Sequence, residues 1–367
     1  MSKIRVGLIY GGRSGEHEVS VLSADSVMLA IDQDKYEVLP IGITKEGSWI
    51  PGQSPSPLVE SRNLQVRLLN NGSENENENH LLAVLSNNQG NLLVGLRDRV
   101  DVIFPVMHGP FGEDGTIQGL LELADIPYVG GGVLASAVGM DKVIMKMVFQ
   151  QKGLPVGDYL SYFRKDLNSN SEVICAEIER KLDYPCFVKP ANLGSSVGIS
   201  KAHDRKELIR ALHFAAEYDR KIIVEKMLHG REIECAVLGN DEPIASAPGE
   251  ILPCAEFYDY DAKYVLNDSK LEIPAALGEE IMVKIQDYAV QAFKAIDCAG
   301  LGRVDFFVDE PAGEIFVNEI NTIPGFTRIS MYPKLWEASG ISYTELINRL
   351  LELALERYRE KARNRIG

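Results

Sequence analysis

A chain of 367 residues exceeds one ordinary hydrophobic core and suits two or three compact units. Its 45% apolar and 25% charged residues are the proportions of a soluble globular protein, and 53 acids against 38 Lys and Arg leave a formal net charge of -15. That excess argues against nucleic acid or an anionic membrane as partner, so positive charge for a polyphosphate ligand must come locally, from a few lysines and a divalent metal.

The five cysteines (Cys175, Cys186, Cys235, Cys254, Cys298) are odd in number, widely spaced and without a CxxC pair. Neither a zinc site nor a disulfide framework is indicated, and reduced thiols in a cytoplasm fit best. The N-terminal apolar run is too short for a signal peptide, and no stretch reaches the ~18 apolar residues of a membrane helix. A soluble, cytoplasmic protein is expected.

The first third alternates strands and amphipathic helices. IRVGLIY (4–10), YEVLPIGI (36–43) and DVIFPVM (101–107) read as strands, while 19–31 and 116–124 carry helical spacing. Such alternation predicts a parallel sheet covered by helices. The polar run NNGSENENENH (70–80) reads as a surface loop without chemistry. A Gly cluster at 130–132 closes this unit, and a helix over 140–153 opens the next. There CFVKP (186–190) and KIIVEKM (221–227) read as strands around a loop (191–198) and a helix (204–219). Beyond HGREIE the pattern is strand-rich, with a helix over 279–296, a hairpin over 302–321 and a closing helix ending in 352–364.

Chemistry concentrates in a few strings. NLGSSVG (192–198) follows a strand directly, and small residues there can wrap phosphate oxygens, with Lys189 just before them. A plain Gly/Ser turn reads equally well, and the P-loop pattern is missing. In the hairpin, Glu319 and Asn321 share a strand face, and a five-residue loop of 310–314 would set Asp305 opposite Glu319. Three oxygen ligands then face one side, as a magnesium shell completed by phosphate and water requires, while Val304, Phe306, Val308 and Ile320 line the other. Arg303 shares the Asp305 face and could meet an oxyanion, although an ion-paired surface arginine is the commoner case. Pro324-Gly325 forces a turn, after which free N–H groups of Ser330 and Met331 could hold a carboxylate.

GGRSGEHEVS (11–20) joins the first strand to the first helix, a usual place for a small ligand, but lacks the dinucleotide fingerprint. From spacing alone Glu16 and Glu18 are helix-capping residues and His108 is structural.

Taken together, GGRSGEHEVS, HGPFGEDGTIQG, MDK, FVKPANLGSSVGISK, VEKMLHGREIE, FYDYDAKY, GRVDFFV and NEINTIPGFTRISMYP resemble the D-alanine–D-alanine ligases, a branch of the ATP-grasp superfamily. The strings stand in the family's order and touch most of the chain. The resemblance implies an α/β protein of ATP-grasp fold. A parallel-sheet, Rossmann-like N-terminal domain (1–138) would precede two α+β domains that clamp ATP (139–228 and 229–367). It implies Glu16 as holder of the first D-alanine's ammonium, with Ser195 and Tyr264 as its lid partners and His108 nearby. Lys142, Lys189 and Lys263 would bind phosphates. The segment from Glu225 through Lys226 to Leu228 would read adenine, and Glu232 the ribose. Asp305, Glu319 and Asn321 would hold two Mg2+ or Mn2+ ions, Arg303 and Gly325 would lie by the transferring acyl group, and Ser330 and Met331 would bind the second D-alanine's carboxylate. AKY in the mobile loop looks like the D-Ala-D-Ala type rather than the D-lactate type, and Met331 stands where relatives often carry leucine. A homodimer in a peptidoglycan-making bacterium follows from the same resemblance. An ATP-grasp ligase for a related D-amino or hydroxy acid pair, a dehydrogenase, and an ATP-binding protein without turnover are the rival readings.

Overall fold

The structure, a computed structural model, describes residues 2–55, 92–252 and 270–365. The loop expected at 70–80, and Lys263 and Tyr264 in FYDYDAKY, lie outside the described residues. No described helix is long and apolar enough to cross a membrane.

Strand β1 (Ile4–Gly11) is buried along its last six residues, as a strand covered on both faces must be. It pairs in parallel with β2 (Tyr36–Ile43) and β4 (Val102–Pro105). The short β3 (Trp49–Pro51) departs from the expected all-parallel sheet, for it runs antiparallel to β2. Its cause is the tight Thr44–Ser48 turn, closed by Gly47 N–H to Thr44 O (3.0 Å); only an antiparallel return fits so short a connection. Helices α1 (His17–Ala30), α2 (Leu92–Arg97) and α3 (Thr116–Leu123) belong to this unit.

Helix α4 (Val133–Met140), which the small residues VLASAVG did not announce, leads into α5 (Lys142–Gln151). Asp141 separates them by accepting from the Val143 and Ile144 N–H groups (both 3.1 Å), a proper N-cap. Next come β5 (Tyr159–Phe163), α6 (Arg164–Leu182), β6 (Cys186–Pro190), β7 (Ser200–Ala202), α7 (Arg205–Tyr218) and β8 (Lys221–Lys226). The strands form an antiparallel sheet ordered β5-β8-β6-β7. Cys186, Val188, Ile222 and Val224 bury one face against α6 and α7. By period two, Phe187, Lys189 and Glu225 therefore turn the opposite way, into a cleft.

The third sheet takes β9 (Arg231–Gly239), β10 (Ile244–Ala245), β11 (Gly249–Leu252), β12 (Lys270–Glu272), β13 (Gly300–Asp309) and β14 (Glu314–Asn321), with β14 at its edge. Helix α8 (Glu279–Ala295) covers its Ile233, Val304, Phe306 and Val317 face. Helices α9 (Met331–Ala338) and α10 (Tyr343–Lys361) follow. Leu346 and Leu350 of α10 join Leu8 and Phe104 of the first sheet in one core, and Arg357 stacks 4.5 Å from the Tyr128 ring centroid. The N-terminal unit is thus welded to the third sheet by buried apolar surface.

The hairpin sets Asp305 opposite Glu319, as expected, but by another route. Its loop is four residues, because Asp309 pairs with Glu314, and a β-bulge between Asp305 and Phe306 supplies the missing residue, Asn318. Without that bulge Asn318 would face Asp305, and Glu319 would turn to the buried side.

Candidate active site

Glu16 occupies the N-cap position of α1, yet its side chain caps nothing. Instead the Ser195 hydroxyl of the Gly/Ser loop donates to Glu16 Oε1, across 179 residues of sequence. The carboxylate is nearly buried (9% exposed), and a side-chain carbon at Gly109 (φ +73°) would stand 2.7 Å from Glu16 Oε2. Glycine is required there because the backbone passes so close. The expectation from spacing, a capping carboxylate, is therefore overturned. Glu18, in the first turn of α1, is half-buried and paired with Lys45.

Ser195 and Ser196 both sit at positive φ (49° and 59°), a conformation that costs about 1 kcal/mol or more for residues other than glycine. The loop is braced by the Asn192 N–H and side-chain amide, which both donate to Asp219 Oδ2 (2.9 and 2.8 Å). Part of its backbone is already used, since Val197 N–H donates to Gly194 O (3.2 Å).

His108 is buried and fully engaged. Its Nδ1 donates to Ile323 O (3.1 Å), so Nε2 (3.2 Å) is free to accept the Ser23 hydroxyl proton. Burial alone would lower its pKa, but Glu113, with Oε1 3.4 Å from Nδ1, turns the net shift upward. Glu113 was not singled out in the sequence; the histidine ties it to the 322–333 turn.

A cavity of ≈310 Å³ opens between the second and third sheets, with Lys142, Lys189, Glu225–Leu228, Glu232, Asp305 and Glu319 on its walls. Phe187, Leu228 and Phe307 give it an apolar portion. Lys142 donates to Leu193 O (2.9 Å) and lies 3.3 Å from Glu319. Lys189 meets Glu225 at 2.6 Å. Glu225 also takes the ammonium of Lys146 at 2.8 Å, a residue the sequence did not mark. Its side chain is therefore an anchor for two lysines, and the Lys226 and Met227 N–H groups are spent on Asp158 O and Pro185 O (3.0 and 3.3 Å).

Burial would raise the Glu225 carboxyl, but Lys146 and Lys189 overcome it and hold the pKa far below the usual carboxylate range. A depressed folded-state pKa contributes stability that is fully present above the unfolded value and lost as pH falls through the folded one. Glu225→Gln is accordingly expected to melt lower than the parent near neutrality, by about 3–5 kcal/mol of lost stability, with the gap closing in acid. A gap independent of pH, measured by calorimetry from neutrality downward, would show that Glu225 is not ionised.

Asp305 is gripped by Arg303, whose Nε and one Nη donate to its two oxygens (both 2.7 Å); Nε also lies 3.0 Å from Glu234. Arg303 is thus the ion-paired arginine the bland reading favoured, though it is buried at the cleft rather than solvated. Asn321 Oδ1 accepts from Ile323 N–H (3.3 Å). Among the described residues no three His, Cys, Asp or Glu side chains gather as a metal group. Asp305 and Glu319 nevertheless face each other beside two cationic side chains, an oxygen-only pair suited to a hard divalent cation.

One expectation in the 322–333 turn needs correction. The Ser330 N–H is not free, because it closes a turn onto Thr327 O (3.0 Å), and the Ser330 hydroxyl lies 2.7 Å from Thr327 Oγ1. The Met331 side chain is buried in the core, and its N–H starts α9, where helix polarity favours an anion. A side-chain carbon at Gly325 would stand 3.2 Å from Ser330 Oγ, so the turn leaves little room.

Comparison with known proteins identifies the family. A model of the D-ala D-ala ligase N-terminus matches residues 5–131, and one of the D-ala D-ala ligase C-terminus matches 148–352. The D-alanine–D-alanine ligase of Ruminiclostridium cellulolyticum is 55% identical over 99% of this chain and 98% of its own length. That of Acetivibrio thermocellus is 52% identical over 98% and 97%. Among solved structures, the D-alanine-D-alanine ligase of Coxiella burnetii superposes with TM-score 0.79 at 37% identity, covering 98% of this chain and 97% of that one. The VanG D-Ala:D-Ser ligase of Enterococcus faecalis gives 0.77 at 36%, covering 96% and 100%. The fold is ATP-grasp, a parallel-sheet unit followed by two α+β sheets around a cleft. With both family models matched in order and near-complete coverage by relatives, the chain belongs to the D-alanine–D-alanine ligase family.

Proposed function

We propose that this protein is an ATP-dependent ligase that joins two D-alanines into D-alanyl-D-alanine for peptidoglycan synthesis, through a D-alanyl phosphate. The observation that carries it is the Glu16 carboxylate, which caps no helix and meets Ser195 at the mouth of a lysine-lined cleft.

A carboxylate resists attack by an amine because its oxygens leave poorly. Transfer of the γ-phosphoryl group to a carboxylate oxygen of the first D-alanine gives an acyl phosphate and ADP. The amine of the second D-alanine then attacks the acyl carbon, phosphate leaves, and the amine loses a proton. Glu16, with Ser195, Tyr264 and His108, orients the first substrate. Lys142, Lys189 and Lys263 draw charge from the phosphoryl oxygens. Glu225–Leu228 and Glu232 seat the nucleoside. Asp305, Glu319 and Asn321 would hold two Mg2+ or Mn2+ ions, which neutralise the triphosphate when bound. Arg303 and the Gly325 backbone would meet the oxyanion, where one donor is worth ~3 kcal/mol. The Ser330 hydroxyl and the Met331 N–H would receive the second carboxylate.

The reading divides the chain at 1–138, 139–228 and 229–367, and it carries a homodimer and a cytoplasmic site of action. Phosphate release should require D-alanine and yield one dipeptide per ATP. Replacing the second substrate by D-serine or D-lactate separates the related ligases, and turnover faster with either would overturn D-alanine as second substrate.

Tyr264→Phe is expected to raise the first D-alanine requirement roughly tenfold, the cost of one hydrogen bond near a charge, and to let water compete for the acyl phosphate. The measurement is ATP hydrolysed per dipeptide formed; an unchanged ratio with unchanged affinity would remove Tyr264 from the lid.

A further inference from the structure

Lys146 is a lysine that ordinary rules place in water. It is 2% exposed, on the second turn of α5, and it touches both sheets that wall the cleft. Its ammonium reaches Glu225 Oε1 on β8 (2.8 Å) and the Asn318 carbonyl on β14 (3.0 Å). Asn318 is the bulged residue, and a bulge leaves backbone groups without a ladder partner. Among the described residues β14 is an edge strand with none on its outer side either, so a partly buried carbonyl there is left for another donor.

The same helix face supplies the rest of that edge. Met145 Sδ receives the Ile320 N–H (3.4 Å), and Lys142 lies 3.3 Å from Glu319. Residues 142, 145 and 146 are neighbours on one side of a helix. Together they follow β14 across the stretch where the bulge turns Glu319 toward Asp305. Val317 N–H is held just beyond, by Pro155 O (2.8 Å).

Resting on the ligase reading, we infer that Lys146 is a positioning residue for the metal pair: by capping Asn318 O while anchored on Glu225, it holds the bulge that aims Glu319 at Asp305. It touches neither substrate nor metal. Its charge also offsets Glu225, so that Glu225 anchors Lys189 in the cavity wall without cancelling it.

The test compares Lys146→Met, Lys146→Gln and Lys146→Arg with the parent. Two readouts do not need turnover: Mn2+ affinity in the presence of a non-hydrolysable ATP analogue, by electron paramagnetic resonance, and amide exchange at Glu319 and Ile320. The Met and Gln variants should bind Mn2+ about 10- to 100-fold more weakly, the usual effect of losing a group that orients a ligand. They should exchange those two amides faster, and leave the D-alanine KM within about twofold. Lys146→Arg, which keeps charge and donors, should recover most of the metal affinity. Unchanged Mn2+ affinity and exchange with a lower melting temperature would overturn the inference, leaving a merely structural cation. Loss of fold in both the Met and Gln variants would overturn it too, since Lys146 would then be a folding residue. The ligase reading is judged separately, on the parent: no D-alanine-dependent phosphate release there sinks that reading, whatever the variants do.

Discussion

Glu319→Gln is expected to fold and to melt within a degree or two of the parent, yet lose turnover by about 100-fold or more. A neutral amide is a poor ligand for a hard cation beside a polyphosphate, and a hundredfold corresponds to about 2.7 kcal/mol of transition-state stabilisation. Stability should move little because Glu319, paired with Lys142 at 3.3 Å, keeps about a third of its side chain (32%) exposed to water. Such pairs contribute about 1 kcal/mol or less. The two roles therefore separate by magnitude. Were Glu319 only the partner of Lys142, its loss would change turnover a few-fold and leave the magnesium requirement alone. The decisive measurement is phosphate release against magnesium concentration; parent-like turnover at limiting magnesium would take Glu319 out of the ligand set.

That Glu319 faces the cleft was legible, but its mechanism was not. Alternation of Val304, Phe306 and Val308 with Asp305 and Phe307 marks a two-faced strand, and this local pattern survives in the structure. The bulge at Asn318 is set by a lysine 172 residues earlier, and no local pattern encodes such a contact. A loop one residue too long concealed the omission, because it produced the same opposition of Asp305 and Glu319. Lys146 was invisible for the same reason: a helical lysine belongs in solvent unless distant acceptors pay for its burial. Helix α6 was missed because RKDLNSNSEVICAEIERKL is polar and departs from helical geometry at Asn170. His108 was assigned a structural role from spacing, and its two engaged nitrogens are compatible with that, although they lock it against Ile323 of the opposing unit. What local pattern decides was readable: the longer strands, most helices and the Gly/Ser loop, while the short β3, β5 and β7 were not. Which side chains meet across the cleft depended on tertiary contacts: the family resemblance anticipated the Glu16–Ser195 meeting but not the Lys146 contacts.

Glu16 shows the difference most sharply and carries the last prediction. Position alone makes it a cap, since an acid at the start of α1 favours the helix dipole. If capping were its work, Glu16→Gln would cost about 1 kcal/mol of stability and affect all ligands alike. The structure has no side-chain cap bond; the carboxylate leaves the helix and accepts from Ser195. Gly109 and Gly194 pass close to its outer oxygen, at 2.7 and 3.4 Å from where a side-chain carbon would stand, so the carboxylate is enclosed by backbone on two sides. A buried carboxylate so placed suits the ammonium of the first D-alanine, and breaking such a pair on one side costs on the order of 3–5 kcal/mol. At about 1.4 kcal/mol per factor of ten, the first D-alanine KM of Glu16→Gln should rise by roughly two to three orders of magnitude. ATP affinity should stay within about twofold, because the cavity lysines lie on other elements, and the second D-alanine, held near Ser330 and Met331, should weaken far less. The two D-alanine constants and the melting temperature decide the matter together. A lower melting temperature with both subsites unchanged would return Glu16 to the helix cap and remove the observation on which the ligase mechanism stands.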